Sequence, residues 1–395
     1  MSVSQTTPRR REKFVPFHIP SLEAVDIDGV VNTLRSGWLT TGPRTREFEE
    51  KFADFVGSPF AVAVNSCTAG LHVALSAFDL GPEDEVITTP YTFIATVEAI
   101  LLAGAKPVLV DVEPGSLNID PAEIEKALTA RTRAIVPVHF AGHPCDMDPI
   151  LRMARPRGIR IVEDAAHALP AVYRGKTIGV IGDCTAFSFY ATKNLTTGEG
   201  GMLTTADGQL AARFRRLSLH GMSQDAWKRY AQGGSWYYEI LELGFKYNMT
   251  DIQASLGLTQ LPRLEDYAIR RERLAERYRQ ALEDLPEIEL PAVPPDGRHA
   301  WHLFVIRLRP DRLSIDRDAF IQKLNAMQIG VSVHFIPVPL HPYYRDRLGL
   351  SPAEFPVAME NYRRAISLPL YPRMADEDVD YVAEVVRWIA ETHRR

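Results

Sequence analysis

A single lysine, Lys193, lies in the stretch SFYATKNLTTGEGG (188–201), after small and hydroxyl-bearing residues and before a glycine-rich turn. A lysine in such a turn can simply be solvated at the surface. Its amine is a useful nucleophile only when its pKa is depressed or when it is bonded to a cofactor. Lys193 is therefore a candidate catalytic residue if the rest of the chain supplies partners for it.

Asp164 directly follows the apolar residues of IRIVEDAAH (159–167), which are typical of a buried strand. Parallel sheets bind ligands at the carboxyl ends of their strands, so we expect this carboxylate at a ligand-binding edge. It could bind a metal, orient a histidine or pair with a ring nitrogen, and His167 could hydrogen-bond at the same site. The alternative is that Asp164 only caps a helix.

The stretch NSCTAGLHVAL (65–75) reads as the end of a strand followed by the start of a helix. Backbone N–H groups at a helix N-terminus favour an anion, and Ser66, Cys67 and Thr68 could bind a phosphate there. The alternative is an ordinary turn with Thr68 as the helix cap. Gly70 is the only glycine of the stretch, so this is not a Walker motif.

Phe93, in PYTFIAT (90–96), follows another predicted strand and could cover the face of a ring. Enzymes that use pyridoxal 5′-phosphate (PLP) need a lysine, an acid for the pyridine nitrogen, a phosphate site and an aromatic ring. Each of these signals is weak alone. Their order along one chain, with phosphate turn, aromatic residue, aspartate and lysine in succession, predicts a PLP enzyme.

Short apolar runs alternate with helical stretches over residues 60–205, which predicts βαβ crossovers and a largely parallel sheet covered on both faces. Two further strands, 184–190 and 200–205, are predicted as neighbours joined by the loop of Lys193. The earlier strands are predicted within 60–65, 84–90, 106–112, 133–140 and 159–167.

Residues 222–243 are predicted to form an exposed loop, and 250–282 a long helical segment that Pro262 kinks or breaks. The pattern beyond it predicts strands at 301–308 and 329–336 and helices at 317–327 and 376–393. We therefore expect a large domain at 15–265 and a smaller C-terminal domain at 266–395.

Composition limits the possible partners. The net charge of -5 gives no basic face for nucleic acid, and no apolar run is long enough to span a membrane. The three cysteines, Cys67, Cys145 and Cys184, are too far apart to indicate a zinc site or a disulfide framework. With no apolar segment typical of a secretory signal near the N-terminus, we expect a cytoplasmic protein.

The segments VEDAAHA, FSFYATKNLTTGEGGMLTT and GFKYNMTDIQASLGLTQL resemble the DegT/StrS family of sugar aminotransferases, and the resemblance extends from residue 37 to 372. It implies an α/β protein of PLP fold type I, aspartate aminotransferase-like. Such a protein has a large domain with a mostly parallel mixed sheet and a smaller C-terminal α+β domain. It also implies transfer of an amino group from L-glutamate to a keto sugar.

Matched residue by residue, the resemblance makes Lys193 the lysine bonded to the cofactor and Asp164 the partner of the pyridine nitrogen. Phe93 corresponds to the residue that stacks on the cofactor ring. His167 replaces a frequent glutamine and would donate to the phenolic oxygen. The phosphate contacts implied are Cys67, which replaces a glycine, with Thr68, Ala69 and Ser188.

Lys246 and Asn248 match a variant found in aminotransferases for 4-keto sugars, including the UDP-4-amino-4-deoxy-L-arabinose branch. In the family this segment reaches the neighbouring subunit's site, which implies a homodimer with shared active sites and a nucleotide-sugar substrate. Candidate substrate contacts are Thr40, His334, Tyr343 and Tyr344. Domain packing is an equally good interpretation of the last three.

Four alternative functions can be compared with the residues that the sequence contains. Amination of a C3-keto sugar or a cyclitol would use the same residues. A PLP-dependent sugar dehydrase would replace Lys193 with histidine, and a cysteine desulfurase would need a cysteine within 222–243. A non-catalytic regulator would lack Lys193 or Asp164, and both are present.

Overall fold

The strand–helix alternation predicted for residues 60–205 is present in the computed structural model, which describes residues 7–223 and 237–395. Most of the predicted loop at 222–243 lies outside the described residues. The strands, numbered along the chain, are β1 (Phe60–Val64), β2 (Glu85–Thr88), β3 (Lys106–Leu109), β4 (Thr132–Ile135), β5 (Arg160–Asp164), β6 (Val172–Tyr173), β7 (Lys176–Thr177), β8 (Cys184–Ser188), β9 (Gly201–Thr205), β10 (Ile288–Glu289), β11 (Gly297–Arg298), β12 (Phe304–Leu308) and β13 (Ala365–Leu368).

Helices cover both faces of the main sheet and form most of the C-terminal part. They are α1 (Ala24–Ser36), α2 (Pro43–Val56), α3 (Cys67–Ser76), α4 (Ala95–Leu102), α5 (Pro121–Ala127), α6 (Met147–Ala154), α7 (Gly208–Leu217), α8 (Asp251–Gln260), α9 (Leu264–Leu282), α10 (Arg317–Ala326), α11 (Pro342–Leu348), α12 (Pro356–Arg364) and α13 (Asp376–Thr392). Among the described residues, no helix combines the length and apolar character that crossing a lipid bilayer requires.

The main sheet has seven strands in the order β1–β9–β8–β5–β4–β2–β3. The strands from β8 to β3 pair in parallel, whereas β9 is antiparallel to both β1 and β8. This confirms the predicted mostly parallel mixed sheet. The predicted adjacency of the strands on either side of the Lys193 loop is also confirmed.

Successive residues of the central strands pack on opposite faces of the sheet, because side chains alternate along a strand. In β8, Phe187 joins the apolar core that includes Phe48 and Phe52 of α2. Its neighbour Ala186 joins the core on the other face, with Leu71 of α3. Both faces are thus buried, and only the strand ends are left for a ligand.

The C-terminal part has a three-stranded antiparallel sheet, β10–β12–β13, and its own apolar core formed with α9, α10 and α13. Val15 also packs in this second core. The helical segment 250–282 is interrupted by a short 3-10 turn at Leu261–Arg263, as the position of Pro262 predicts. The domain limits at 265 and 266 stay a prediction, because α9 contributes to both cores.

The predicted strand at 329–336 is wrong. This segment makes only isolated bridges, from Ile329 to Val15 and from Ser332 to Ser367. Its backbone partner changes within three residues, from Val15 to Ser367 of β13 in the C-terminal sheet. The segment then carries His334 and Phe335 into a cavity.

Candidate active site

A cavity of about 510 Å³ opens where the parallel strands end. Its walls come from segments that follow β1, β2, β4 and β5 and from the loop after β8. This is the edge at which ligands bind in parallel sheets, and the volume suits a cofactor or small substrate. The predicted residues that line it are Cys67, Thr68, Phe93, Asp164, His167, Ser188, Lys193 and His334.

Asp164, the last residue of β5, is buried with 5% of its surface exposed. One carboxylate oxygen accepts a hydrogen bond of 2.8 Å from the Thr96 hydroxyl, and the other accepts one of 3.1 Å from the Ala166 N–H. Burial raises the pKa of Asp164, and these two hydrogen bonds and the nearby Lys193 oppose that rise. Within the described ranges Asp164 has no ion pair, so its carboxylate is available to a cationic ligand group.

Lys193 follows β8 in a turn whose backbone is closed by a 2.9 Å hydrogen bond from the Lys193 N–H to the Tyr190 carbonyl. Burial lowers the pKa of the Lys193 amine to about 8, although Cys67 and Asp164 act in the opposite direction. A neutral amine is the nucleophilic form of lysine. The cavity therefore keeps an appreciable fraction of this amine reactive near neutral pH.

The N-terminus of α3 opens on the cavity. Ser66 caps the helix by accepting a 3.1 Å hydrogen bond from the Ala69 N–H, and the first helical N–H groups, at Cys67 and Thr68, have no partner within a helix. The Cys67 thiol points towards the sheet and donates to the Ala186 carbonyl at 3.6 Å. Because the thiol turns away, a cysteine in place of glycine leaves the backbone of the turn free to approach a phosphate.

The ring of His167 is fixed by its surroundings. Its Nδ1 accepts a 3.2 Å hydrogen bond from the Ala141 N–H. Burial lowers the pKa of His167 well below its usual range, and the charges of Lys193 and His334 lower it further. The neutral ring must then carry its proton on Nε2, which makes that atom a donor.

Phe93 and Glu199 are exposed residues at the cavity. The Phe93 side chain is 61% exposed, and its ring centroid lies 6.0 Å from that of Phe335. Such an exposed aromatic ring is available for stacking on a flat ligand. Glu199 lines the cavity, while its backbone carbonyl accepts hydrogen bonds from Thr197 and Gln253 and so shapes the loop.

Other predicted residues do not line the cavity of their own chain. Asn248 donates a 2.7 Å hydrogen bond to Thr41, and Lys246 pairs through its backbone with Leu219. Tyr344 is buried, and its hydroxyl donates to Glu98 at 2.8 Å. Three more residues are outside the cavity lining: Thr40, Ala69 and Tyr343.

The sequence analysis missed Thr96, His302 and Phe335, which also line the cavity. Thr96 lies within PYTFIAT, and its proximity to the predicted aspartate depends on the packing of α4. His302 is 109 positions beyond Lys193, in a stretch that reads as part of a strand. Only the tertiary fold brings these residues together.

These residues fit the parts of PLP. An amine with a lowered pKa, a buried carboxylate that has no ion pair with any described residue, a helix N-terminus and an exposed aromatic ring all face one cavity. On this α/β fold they define a PLP-dependent enzyme of fold type I.

Comparison with known proteins gives the family. Residues 20–387 match the DegT/DnrJ/EryC1/StrS aminotransferase family. The chain is 53% identical over 384 residues to the Bacillus subtilis spore coat polysaccharide biosynthesis protein SpsC, covering 97% of this chain and 99% of SpsC.

Solved structures agree with this match. Spr1654 from Streptococcus pneumoniae, described as a sugar aminotransferase and solved in a PLP form, superposes with a TM-score of 0.89 at 36% identity, covering 96% of this chain and 99% of that one. Helicobacter pylori PseC, an aminotransferase involved in the biosynthesis of pseudoaminic acid, superposes with a TM-score of 0.90 at 28% identity. The match covers 96% of this chain and 100% of PseC. The chain belongs to the DegT/DnrJ/EryC1/StrS family and is a PLP-dependent sugar aminotransferase.

The close packing at Gly201 yields a first prediction. A Cβ at Gly201 would lie 2.6 Å from the carbonyl carbon of Ser66 and 2.7 Å from the nitrogen of Cys67, so Gly201→Ala must displace the turn at the start of α3. We expect the Kd for PLP, measured on the apoprotein by fluorescence titration, to rise about tenfold or more.

Gly70→Ala is the matched control, because a Cβ there would meet its nearest side-chain atoms at 3.5 Å, an ordinary contact. That variant should bind PLP like the wild type. Equal affinities for all three proteins would mean that the turn does not contact the cofactor.

The lowered pKa of Lys193 yields a second prediction. With a pKa of about 8, about one tenth of the amine is neutral at pH 7, against about one in three thousand for an ordinary lysine. The rate of covalent PLP capture by the apoprotein, followed by visible absorbance, should therefore rise about tenfold per pH unit below pH 8 and level off above it. A rate still rising steeply at pH 9.5 would contradict the lowered pKa.

Proposed function

We propose that this aminotransferase moves an amino group from L-glutamate to the C4 ketone of a nucleotide-linked sugar, for the synthesis of an amino-sugar polysaccharide. The observation that carries the proposal is the full-length similarity to SpsC, a polysaccharide biosynthesis protein. The KYN segment at 246–248 supports C4 over C3. The cavity of about 510 Å³ that Lys193 and Asp164 line is large enough for the cofactor together with the reacting end of a substrate.

In this proposal Lys193 would hold PLP covalently and, once the donor's amine has displaced it, its free amine could take the proton from the donor's Cα. Asp164 would hold a proton at the pyridine nitrogen. When bound, PLP supplies an electron sink for the electron pair released at Cα. Phe93 would cover the ring face, and His167 would donate through Nε2 to the phenolic oxygen.

The phosphate of PLP would be bound at the N-terminus of α3, where Cys67, Thr68 and Ala69 begin the helix and Ser188 ends β8. The backbone N–H groups and the helix dipole both favour an anion there. The hydroxyls of Thr68 and Ser188 add donors from two sides.

We further propose a homodimer in which Lys246 and Asn248 complete the partner's site. Neither lines the cavity of its own chain, which agrees with a role across an interface. The nearby Leu243 and Leu241 are 89% and 58% exposed, which is typical of an interaction surface. A particle of 44.3 kDa, the mass of one chain, by light scattering at micromolar concentration would contradict this proposal.

Of the proposed substrate contacts, His334 has the best support because it lines the cavity. Thr40 and the exposed Tyr343 could contact the substrate only at the outer rim of the cavity or in the partner subunit's site. Tyr344 is engaged with Glu98 and is better explained by packing.

We also propose a cytoplasmic location for the protein. The three buried free cysteines fit the reducing cytoplasm, and cell fractionation would test this location.

The experiment that tests the function is a mass-spectrometric panel with L-glutamate as donor. Nucleotide-linked 4-keto sugars should gain an amine, whereas 3-keto sugars and free cyclitol ketones should react at least about tenfold more slowly. Lys193→Ala is the negative control and should give no product. Preferential amination of a cyclitol or of a 3-keto sugar would overturn the proposed substrate class.

A further prediction concerns Asp164. Asp164→Asn keeps the size and the hydrogen bond from Thr96 but removes the charge that holds the ring proton. We expect kcat to fall about a hundredfold or more, with the PLP content of the purified protein reduced much less. Thr96→Val should have a smaller effect, because it removes one hydrogen bond and leaves the carboxylate. An unchanged kcat for Asp164→Asn would show that this residue is only structural.

A further inference from the structure

His302 lines the cavity together with Lys193 and His167. It precedes β12 on a segment that runs along the main domain, where the Leu303 N–H donates to the Ala141 carbonyl at 3.2 Å. The His302 side chain is 6% exposed. A histidine from the C-terminal part of the chain is thus held against the site built by the large sheet.

The hydrogen bonds of Asn194 fix the tautomer of His302. Both hydrogens of the Asn194 amide are used, since its Nδ2 donates to the carbonyls of Leu169 and Ala300 at 2.8 Å each. Its Oδ1 is therefore an acceptor, and the His302 Nδ1, 3.3 Å away, must be the donor. Because Asn194 directly follows Lys193, this bond connects His302 to the loop of the reactive lysine.

The ring of His302 also supports His167. The two ring centroids are 4.4 Å apart with an interplanar angle of 41°, and Phe335 stacks on His167 at 5.6 Å and 21°. With Nδ1 of His167 bonded to the Ala141 N–H, these contacts leave the ring little freedom. The direction of the His167 Nε2–H donor depends on them.

The charges around His302 favour its neutral form. Burial lowers the pKa of His302 well below its usual range, and His167, Lys193, Arg271 and His334 lower it further. The single proton of the neutral ring lies on Nδ1, where it is donated to Asn194.

We propose that His302 is a positioning residue that couples the loop of Lys193 to His167. Its Nδ1–H holds Asn194, and its ring face holds the His167 imidazole. The inference rests on the roles proposed above for Lys193 and His167. His302 would thus influence the Lys193 amine and the His167 donor through the two residues that it contacts.

Two substitutions separate the two contacts. His302→Phe keeps an aromatic ring beside His167 but removes the donor to Asn194, whereas His302→Asn keeps a donor near the Nδ1 position and removes the ring. We expect His302→Phe to slow covalent capture of PLP by the apoprotein about tenfold. His302→Asn should capture PLP at a rate within about threefold of the wild type, because it keeps a donor for Asn194. It should also shift the pH midpoint of the holoenzyme's visible absorbance, because His167 loses the ring that supports it.

A double-mutant comparison tests whether the coupling passes through Asn194. In the Asn194→Ala background, adding His302→Phe should slow capture by less than about twofold, because the bond is already absent. A full, independent effect of His302→Phe in that background would overturn the proposal. A wild-type capture rate in the single His302→Phe variant would also overturn the proposal. So would a His302→Asn variant that captures PLP as slowly as His302→Phe does.

His299→Phe is the matched control for a general packing defect. His299 is equally buried on the same segment, where its Nδ1 accepts from the Trp301 N–H at 2.8 Å, but it does not line the cavity. This variant should keep the wild-type capture rate and absorbance midpoint even if its Tm falls, and a tenfold loss would contradict a specific role for His302. Capture that persisted in Lys193→Ala would instead refute the proposed role of Lys193, whatever the His302 variants do.

Discussion

The parallel pairing of β5 with β8 sets the position of the acid relative to the lysine loop. In this register Asp164 lies opposite Ala186, and β8 ends two residues later at Ser188, where the loop begins. A slip of one residue would turn every side chain to the other face. Glu163 would then enter the cavity in place of Asp164.

Glu163 is held firmly on the opposite face, which prevents that slip. Its carboxylate accepts hydrogen bonds from His139 at 3.0 Å, from the Gly182 N–H at 2.8 Å and from the Thr185 hydroxyl at 2.9 Å. Two adjacent carboxylates on one strand therefore have separate environments. Glu163 accepts three hydrogen bonds away from the cavity, whereas Asp164 accepts two and keeps free acceptor capacity at the cavity.

The sequence predicts the parts of the site that are local in the chain. Candidate ligand-binding residues that come at or just after a strand end, such as Asp164 and Phe93, can be predicted from the sequence. The reason is that the carboxyl ends of parallel strands meet at one edge of the sheet. His302 and Phe335 were not predicted, since their approach to Lys193 depends on how the second core packs against the first. The strand predicted at 329–336 was wrong because its alternating apolar residues do not form a continuous ladder: the segment bridges Val15 at Ile329 and β13 at Ser332.

The helix α9 has a consequence for any attempt to exchange parts between relatives. Leu264, its first residue, packs in the core under the large sheet, while Leu274 and Tyr278 pack in the second core. Arg271, between them, is 1% exposed and donates to the carbonyls of Trp301 and Leu370 at 3.0 and 2.9 Å. A chimera joined near residue 265 would mix one parent's helix with the other parent's interior, and a joint before α8 would not avoid this, because Ala254 of α8 also packs in the core under the large sheet.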